Sequence, residues 1–224
     1  EDELVNAPQN WSLLESSTLP CAAVTAWRAL ITEGNLSDKS IVLTQGLGGV
    51  SIFSIQIAKS FGAKVISTTS SEERIAVAKE IGSDEAINYK TTDNMKEAIA
   101  SAAPNGVDVY FDNVGGDITD AVLANIARNA RVINCGAISV YNDTETPTGP
   151  RVEPILIKNS VSMQGFTIGN YQSQFKEGMQ QLGKWLKEDK LTYSETIVEG
   201  FDNIPQAFID LFDGKNQGKM IVKV

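Results

Sequence analysis

From Ser40 onward the chain alternates short β-branched runs with amphipathic stretches, the pattern of parallel strands joined by crossover helices. Strands are expected over residues 40–44, 64–68, 85–88, 107–111, 131–134 and 161–166. Most are apolar through their middles, as strands covered on both faces should be. Helices are expected over residues 49–61, 72–81, 94–102 and 118–127, with a shorter one over 155–159. Ser70 with Glu73 fits a capping box, and Gly62 and Gly82 fall where a glycine stops a helix. Right-handed crossovers then arrange the strands in the order 3-2-1-4-5-6. The fold class that follows is α/β: a Rossmann doubly wound parallel sheet with helices on both faces.

Beyond Tyr171 the pattern changes to helices over 175–188 and 204–212, a short strand near 197–198 and a last strand over 220–224. This C-terminal α/β extension is expected to pair its last strand outside the main sheet. Residues 1–18 read as a connector entering from elsewhere. The longest loop, 140–151, follows the fifth strand at the carboxyl edge, where ligands of such sheets bind.

Composition removes whole classes of chemistry. The 224 residues contain no histidine, which excludes Ser/His and Cys/His catalysis and imidazole-ligated zinc within this chain. Two cysteines, Cys21 and Cys135, cannot build a four-thiolate zinc site and read as reduced cytosolic thiols. A net charge of −9 disfavours a polyanion such as nucleic acid as main partner. The acidic start, Glu1-Asp2-Glu3, is unlike a secretory leader, and no apolar run is long enough to span a membrane. The expectation is a cytoplasmic protein with no membrane partner, in which the Asn-x-Ser/Thr sequons are chance matches.

The first strand runs into Gln45-Gly46-Leu47-Gly48-Gly49-Val50-Ser51 and then a helix. In a dinucleotide turn the first glycine permits a tight bend and the second lets backbone approach a diphosphate. Gly46 and Gly48 fill these roles, while Ser51 stands at the third position. At the end of the second strand an acidic side chain would accept the 2′-hydroxyl of NAD. Ser67 to Ser71 are neutral, and Arg74 stands just beyond, where it can bond a 2′-phosphate. The cofactor expected is NADP(H).

Several segments resemble the medium-chain dehydrogenase/reductase superfamily. They are residues 46–50, Phe111-Asp112-Asn113-Val114-Gly115-Gly116, residues 135–142, residues 198–201 and Gly214-Lys215-Asn216-Gln217-Gly218-Lys219. The branch most resembled is that of the zinc-independent prostaglandin and leukotriene reductases, also described as alkenal or enone reductases. Residues 19–27 look closer to quinone reductases and zinc-type alcohol dehydrogenase-like members.

The resemblance implies NADPH-dependent reduction of the C=C bond of an α,β-unsaturated aldehyde or ketone, or of a quinone, without a metal. Hydride goes to the β-carbon, and a positioned donor stabilises the enolate oxygen. By the same resemblance Gly49, Val50, Ser51 and Ile52 lie at the pyrophosphate, and Arg74 and Tyr89 at the 2′-phosphate, with Ser70 counted among the cofactor contacts. Asn113, Cys135, Gly136, Ala137, Ile138 and Ser139 line ribose and nicotinamide, joined by Phe166, Thr167, Ile168 and Asn216. Tyr141 matches the tyrosine facing the substrate carbonyl, where a phenol, with a pKa near roughly 10, stays protonated and can donate. Cys135 reads as a small wall residue rather than a nucleophile.

The family also carries an N-terminal GroES-like domain, and this chain starts where that domain should be ending. The expected organisation is a connector (1–18), an NADP-binding domain (19–170) and a C-terminal segment (171–224) returning to the catalytic domain. Relatives often pair through the coenzyme domain, so a homodimer through the edge strand 161–166 is a further expectation. Two other readings stay open: a non-catalytic NADP(H)-binding module or redox sensor, and, more remotely, an adenosyl-methionine methyltransferase.

Overall fold

The computed structural model of the protein describes residues 11–224. The remainder of the expected connector, residues 1–10, lies outside the described residues. A helical run opens the fold: α1 (Leu13–Thr18) and α2 (Val24–Trp27), linked and extended by π-helical turns at Leu19–Ala23 and Arg28–Glu33. Its start is fixed by a capping box in which the Ser12 hydroxyl accepts the Glu15 amide and Glu15 accepts the Ser12 amide.

Six parallel strands follow: β1 (Ile41–Gln45), β2 (Lys64–Thr69), β3 (Glu85–Asn88), β4 (Val107–Asp112), β5 (Ile126–Asn134) and β6 (Ser162–Gly165). Their order is β3-β2-β1-β4-β5-β6, the doubly wound arrangement expected. The crossovers are α3 (Gly49–Ser60), α4 (Glu72–Glu80), α5 (Met95–Ala102), α6 (Gly116–Leu123) and α7 (Glu153–Asn159). The chain ends in α8 (Phe175–Lys187), β7 (Glu195–Glu199), α9 (Ile204–Phe212) and β8 (Lys219–Lys223). β7 and β8 form a separate two-stranded parallel sheet, so the last strand does pair outside the main one.

The pleat divides the core in two. Val42, Val65, Val109, Phe111 and Ile133 face one layer, built from the helical run, α3, Ala78 of α4, and Leu182 and Trp185 of α8. Leu43, Ile66, Tyr110 and Val132 face the other, formed by α5 and α6 through Ile99, Val122 and Leu123. Each such large apolar side chain taken out of water contributes about 1.5–3 kcal/mol. α8 therefore packs into the nucleotide-fold core itself. Arg28 is buried there, its guanidinium 3.3 Å from the Tyr171 ring centroid and bonded to Gln174 and Glu33.

Three expectations are corrected. The capping residue of α4 is Ser71, not Ser70: its hydroxyl accepts the Arg74 amide at 3.3 Å. α6 runs from Gly116 to Leu123, not over 118–127, because the Asn125 carbonyl accepts the Val107 amide and Ile126 already pairs with Val107. β5 accordingly starts at Ile126 and passes through a left-handed Asn129 (φ 61°). Among the described residues no helix is long and apolar enough to cross a membrane.

Candidate functional site

Since all six strands run parallel, their carboxyl ends share one edge, and the residues that follow them are gathered there. Gly46 follows β1, Ser70 follows β2, Tyr89 follows β3, Asn113 follows β4, Cys135 follows β5 and Phe166 follows β6. A cleft of about 390 Å³ between Trp27, Phe61 and Trp185 involves the far end of α3 instead and belongs to no part of this edge.

The glycine turn is built for backbone approach. Gly46 has φ +76°, a left-handed conformation that favours glycine, and donates its amide to the Thr68 carbonyl at 2.7 Å. No side chain caps α3 at Gly48, so the first-turn amides of Gly49, Val50 and Ser51 carry the positive end of the helix. A methyl group on Gly48 would meet nothing nearer than the Asn216 amide nitrogen at 4.0 Å. Ser51, at the third glycine position, is buried and donates its hydroxyl to the Gln45 carbonyl at 2.5 Å, closing the turn. Ile52 turns away from the edge: its side chain lies in the core and its amide bonds to the Gly48 carbonyl.

The C-terminal segment completes this turn. Gly218 forms a parallel bridge with Gly48 and donates its amide to the Leu47 carbonyl at 2.9 Å. Asn216 is buried and donates its side-chain amide to the Gly218 carbonyl at 2.7 Å. Lys219 lies against Gly49, its Cα 3.3 Å from where a Cβ would stand. At the β2 side, the half-buried Arg74 donates from Nη2 to the carbonyls of Gly214 at 2.5 Å and Asn216 at 2.7 Å. Tyr89 is partly exposed, its amide bonded to the Thr69 carbonyl.

Across the edge, Asp112 organises the turn after β4. One carboxylate oxygen accepts the Val114 and Gly115 amides at 2.9 and 2.8 Å; the other accepts the Thr119 hydroxyl at 2.7 Å. Thr119 in turn meets the buried Tyr110 hydroxyl, which Gln45 also reaches. Burial, with the Asp112 charge second, holds the Tyr110 phenol well above its ordinary range. Asn113 presents a buried side-chain nitrogen with no protein partner among the described residues.

The Asp112 carbonyl also receives the Cys135 amide, and Gly136 lies against the Asn113 carbonyl, 3.0 Å from where its Cβ would be. Burial, followed by the charges of Cys21 and Asp112, pushes the Cys135 thiol up to about 11, so it is protonated at neutral pH. Ser139 is held to the Val114 carbonyl through both its amide and its hydroxyl. Tyr141 is 59% exposed and folds back so that its hydroxyl oxygen accepts the Ala137 amide at 2.9 Å. Phe166 bonds to the Asn134 carbonyl through its amide while its ring packs into the core, 6.1 Å from Tyr171. Thr167 is exposed and Ile168 half-buried beside it.

A dinucleotide fits this edge on three observations: an uncapped helix start, open space over Gly48, and the unpartnered nitrogen of Asn113. The structure adds Leu47, Asp112 and Gly218, which sequence reasoning did not single out. The Asp112-x-Val114-Gly115 spacing was the available signal for an Asx-type turn. Among the described residues no group of three or more His, Cys, Asp or Glu is placed to hold a metal ion.

Comparison with known proteins agrees with this architecture. Residues 49–184 match the family described as zinc-binding dehydrogenase. The Bacillus subtilis protein YfmJ, provisionally named an NADP-dependent oxidoreductase, is 47% identical over 92% of this chain and 62% of its own length. Prostaglandin reductase 1 of Bos taurus is 39% identical over 94% of this chain and 64% of its own. The crystal structure of CurA from Vibrio vulnificus in complex with NADPH superimposes with a TM-score of 0.89 at 33% identity, over 99% of this chain and 67% of CurA. The chain thus spans less than two thirds of the curated relatives YfmJ and prostaglandin reductase 1. With its sheet order, its glycine turn and these matches taken together, the chain belongs to the zinc-binding dehydrogenase family, in the prostaglandin-reductase-like branch of the medium-chain dehydrogenase/reductase superfamily.

Proposed function

We propose that this chain carries the nucleotide-binding portion of an NADPH-dependent reductase acting on the C=C bond of α,β-unsaturated aldehydes or ketones, or on quinones. The observation that carries the reading is the Gly46–Ser51 turn, open over Gly48 and backed by the uncapped start of α3. YfmJ is named for NADP, and CurA was crystallised with NADPH. NADPH, when bound, supplies the hydride.

The chain's own residues do the rest. The amides of Gly49, Val50 and Ser51 receive the diphosphate, and Asn113 offers its unpartnered nitrogen to the ribose or nicotinamide end. Arg74 and Tyr89 stand at the 2′-phosphate. Because the Tyr141 oxygen already accepts the Ala137 amide, its proton is left to donate. Aimed at a substrate carbonyl, that proton stabilises the negative charge that grows on oxygen as hydride reaches the β-carbon; solvent then protonates the α-carbon. The thiol of Cys135 serves as wall.

Residues 19–170 form the nucleotide unit in this reading, and the C-terminal sheet meets a further catalytic domain. Phe201, Phe208 and Ile209 are 70%, 62% and 53% exposed, an apolar face suited to such cover. The exposed edge of β6 is the place where a second copy would add its strand. The test is calorimetric titration with NADPH, then the loss of its near-ultraviolet absorbance over a panel of 2-alkenals, enones and quinones. Absence of binding at millimolar NADPH sinks the reading; tight binding without turnover by the whole protein leaves a non-catalytic module in its place.

A further inference from the structure

Arg74 does more in this structure than wait beside a phosphate. A guanidinium has five N–H donors, and the Nη2 pair of Arg74 is spent on the carbonyls of Gly214 and Asn216. The Nε hydrogen and the two Nη1 hydrogens have no protein partner among the described residues; they leave opposite sides of the guanidinium, and each can donate a charge-assisted bond to a phosphate oxygen. The loop held by Nη2 is the one whose Gly218 docks on the Leu47 carbonyl and whose Asn216 amide stands 4.0 Å from the missing Cβ of Gly48. A continuous set of contacts therefore runs from the 2′-phosphate position, through Arg74 and residues 214–218, to the diphosphate turn.

The geometry points to Arg74 as a bridge between two phosphate subsites: a 2′-phosphate on its free donors fixes the guanidinium and, through it, tightens the 214–218 loop over the glycine turn. The inference rests on the reading of Arg74 as the 2′-phosphate ligand and adds the coupling. It makes selectivity for NADPH over NADH a property of the loop as well as of the charge. Thermodynamic reciprocity requires that a loop held by the phosphate holds the phosphate in return. Lysine in place of Arg74 keeps the positive charge but not the separate, rigidly held nitrogens that serve both partners at once.

Hydrogen exchange of the full chain tests this, with NADPH and NADH compared at equal occupancy. The Gly218 amide, bonded to Leu47, is the reporter. NADPH is expected to slow its exchange at least about fivefold more than NADH does. In Arg74→Lys that difference disappears when the two nucleotides are again compared at equal occupancy. Equal protection by the two nucleotides, or a difference that survives in Arg74→Lys, overturns the bridge. Arg74→Ala separates the levels: if its preference for NADPH over NADH matches the parent's, the 2′-phosphate reading falls, and the bridge with it. If the preference is lost but the parent loop never responded to NADPH, only the bridge falls.

Discussion

The Tyr141 hydroxyl accepts the Ala137 amide at 2.9 Å, a contact that spans one turn of backbone at the end of β5 and fixes a phenol that is otherwise largely exposed. An accepting oxygen keeps its own hydrogen for a partner. Tyr141→Phe in the whole protein should therefore lower kcat for a 2-alkenal by about a hundredfold, the usual cost of removing one oxyanion donor. NADPH affinity should stay within about twofold, since the phenol is proposed to face substrate. Steady-state kinetics and calorimetry check the pair; full turnover in the variant removes the donor role.

Gly48 and Gly218 separate ligand space from protein space. Gly48 has open space around its absent side chain and an ordinary extended backbone (φ −76°). Gly48→Ala should leave the urea midpoint close to the parent's, within about 0.5 kcal/mol, while NADPH binds about tenfold or more weakly. A Cβ on Gly218 would lie 1.9 Å from the Ser194 carbonyl oxygen, at φ +75°. Gly218→Ala should cost more than about 3 kcal/mol with or without ligand. A Gly48→Ala protein that binds NADPH normally would mean that the diphosphate does not approach there.

The strands were legible because their β-branched runs are buried on both faces, as Val42-Leu43-Thr44 and Val109-Tyr110-Phe111 are. Misreadings arose where long-range pairing overrode a local pattern. Residues 118–127 keep a helical period, yet Ala127 lies so close to Gly106 that a Cβ on that glycine would stand 2.8 Å from it, and the Val107 amide donates to the Asn125 carbonyl, which pulls those residues into β5. The connector expected over residues 1–18 carries α1, whose start Ser12 and Glu15 mark. At the site, sequence placed candidates at strand ends but could not tell that the Ser51 hydroxyl closes its own turn. Nor could it tell that Arg74 reaches carbonyls some 140 positions away. Those facts depend on contacts that only the folded chain creates.

The two thiols should separate cleanly in a labelling experiment. Cys21 is exposed, whereas burial raises the Cys135 thiol to about 11. At pH 7.5 its thiolate fraction is on the order of a few in ten thousand. Iodoacetamide should modify Cys21 first in the native protein, and Cys135 only slowly until urea is added. Between pH 8 and pH 10 the Cys135 rate should still climb by about tenfold per unit. A plateau below pH 9 would contradict the buried, protonated thiol.

Asp84 gives an acid-side prediction. One oxygen accepts the Lys59 ammonium at 2.6 Å and the other the Val65 amide at 2.8 Å, tying the end of α3 to the start of β2. Burial alone would raise the carboxyl, but Lys59 and the Val65 amide outweigh it and hold it below its usual value. Its contribution is thus complete above the unfolded carboxylate range and fades as pH falls through the lowered folded value. Asp84→Asn should cost about 1 kcal/mol at neutral pH, the partial exposure of the pair included. In urea melts the gap between variant and parent should close toward pH 3. A gap that stays constant would place the effect in packing rather than charge.

The bond from Gly218 to Leu47 has a consequence for the order in which this protein becomes competent. Some 170 residues separate the two, so at ribosomal speeds of about 5–20 residues per second the first strand and its bend emerge about 10–35 s before the segment that closes over them. A nascent chain can collapse around the early strands, but its nucleotide cradle stays a half-built pocket until the residues around Gly218 have been added.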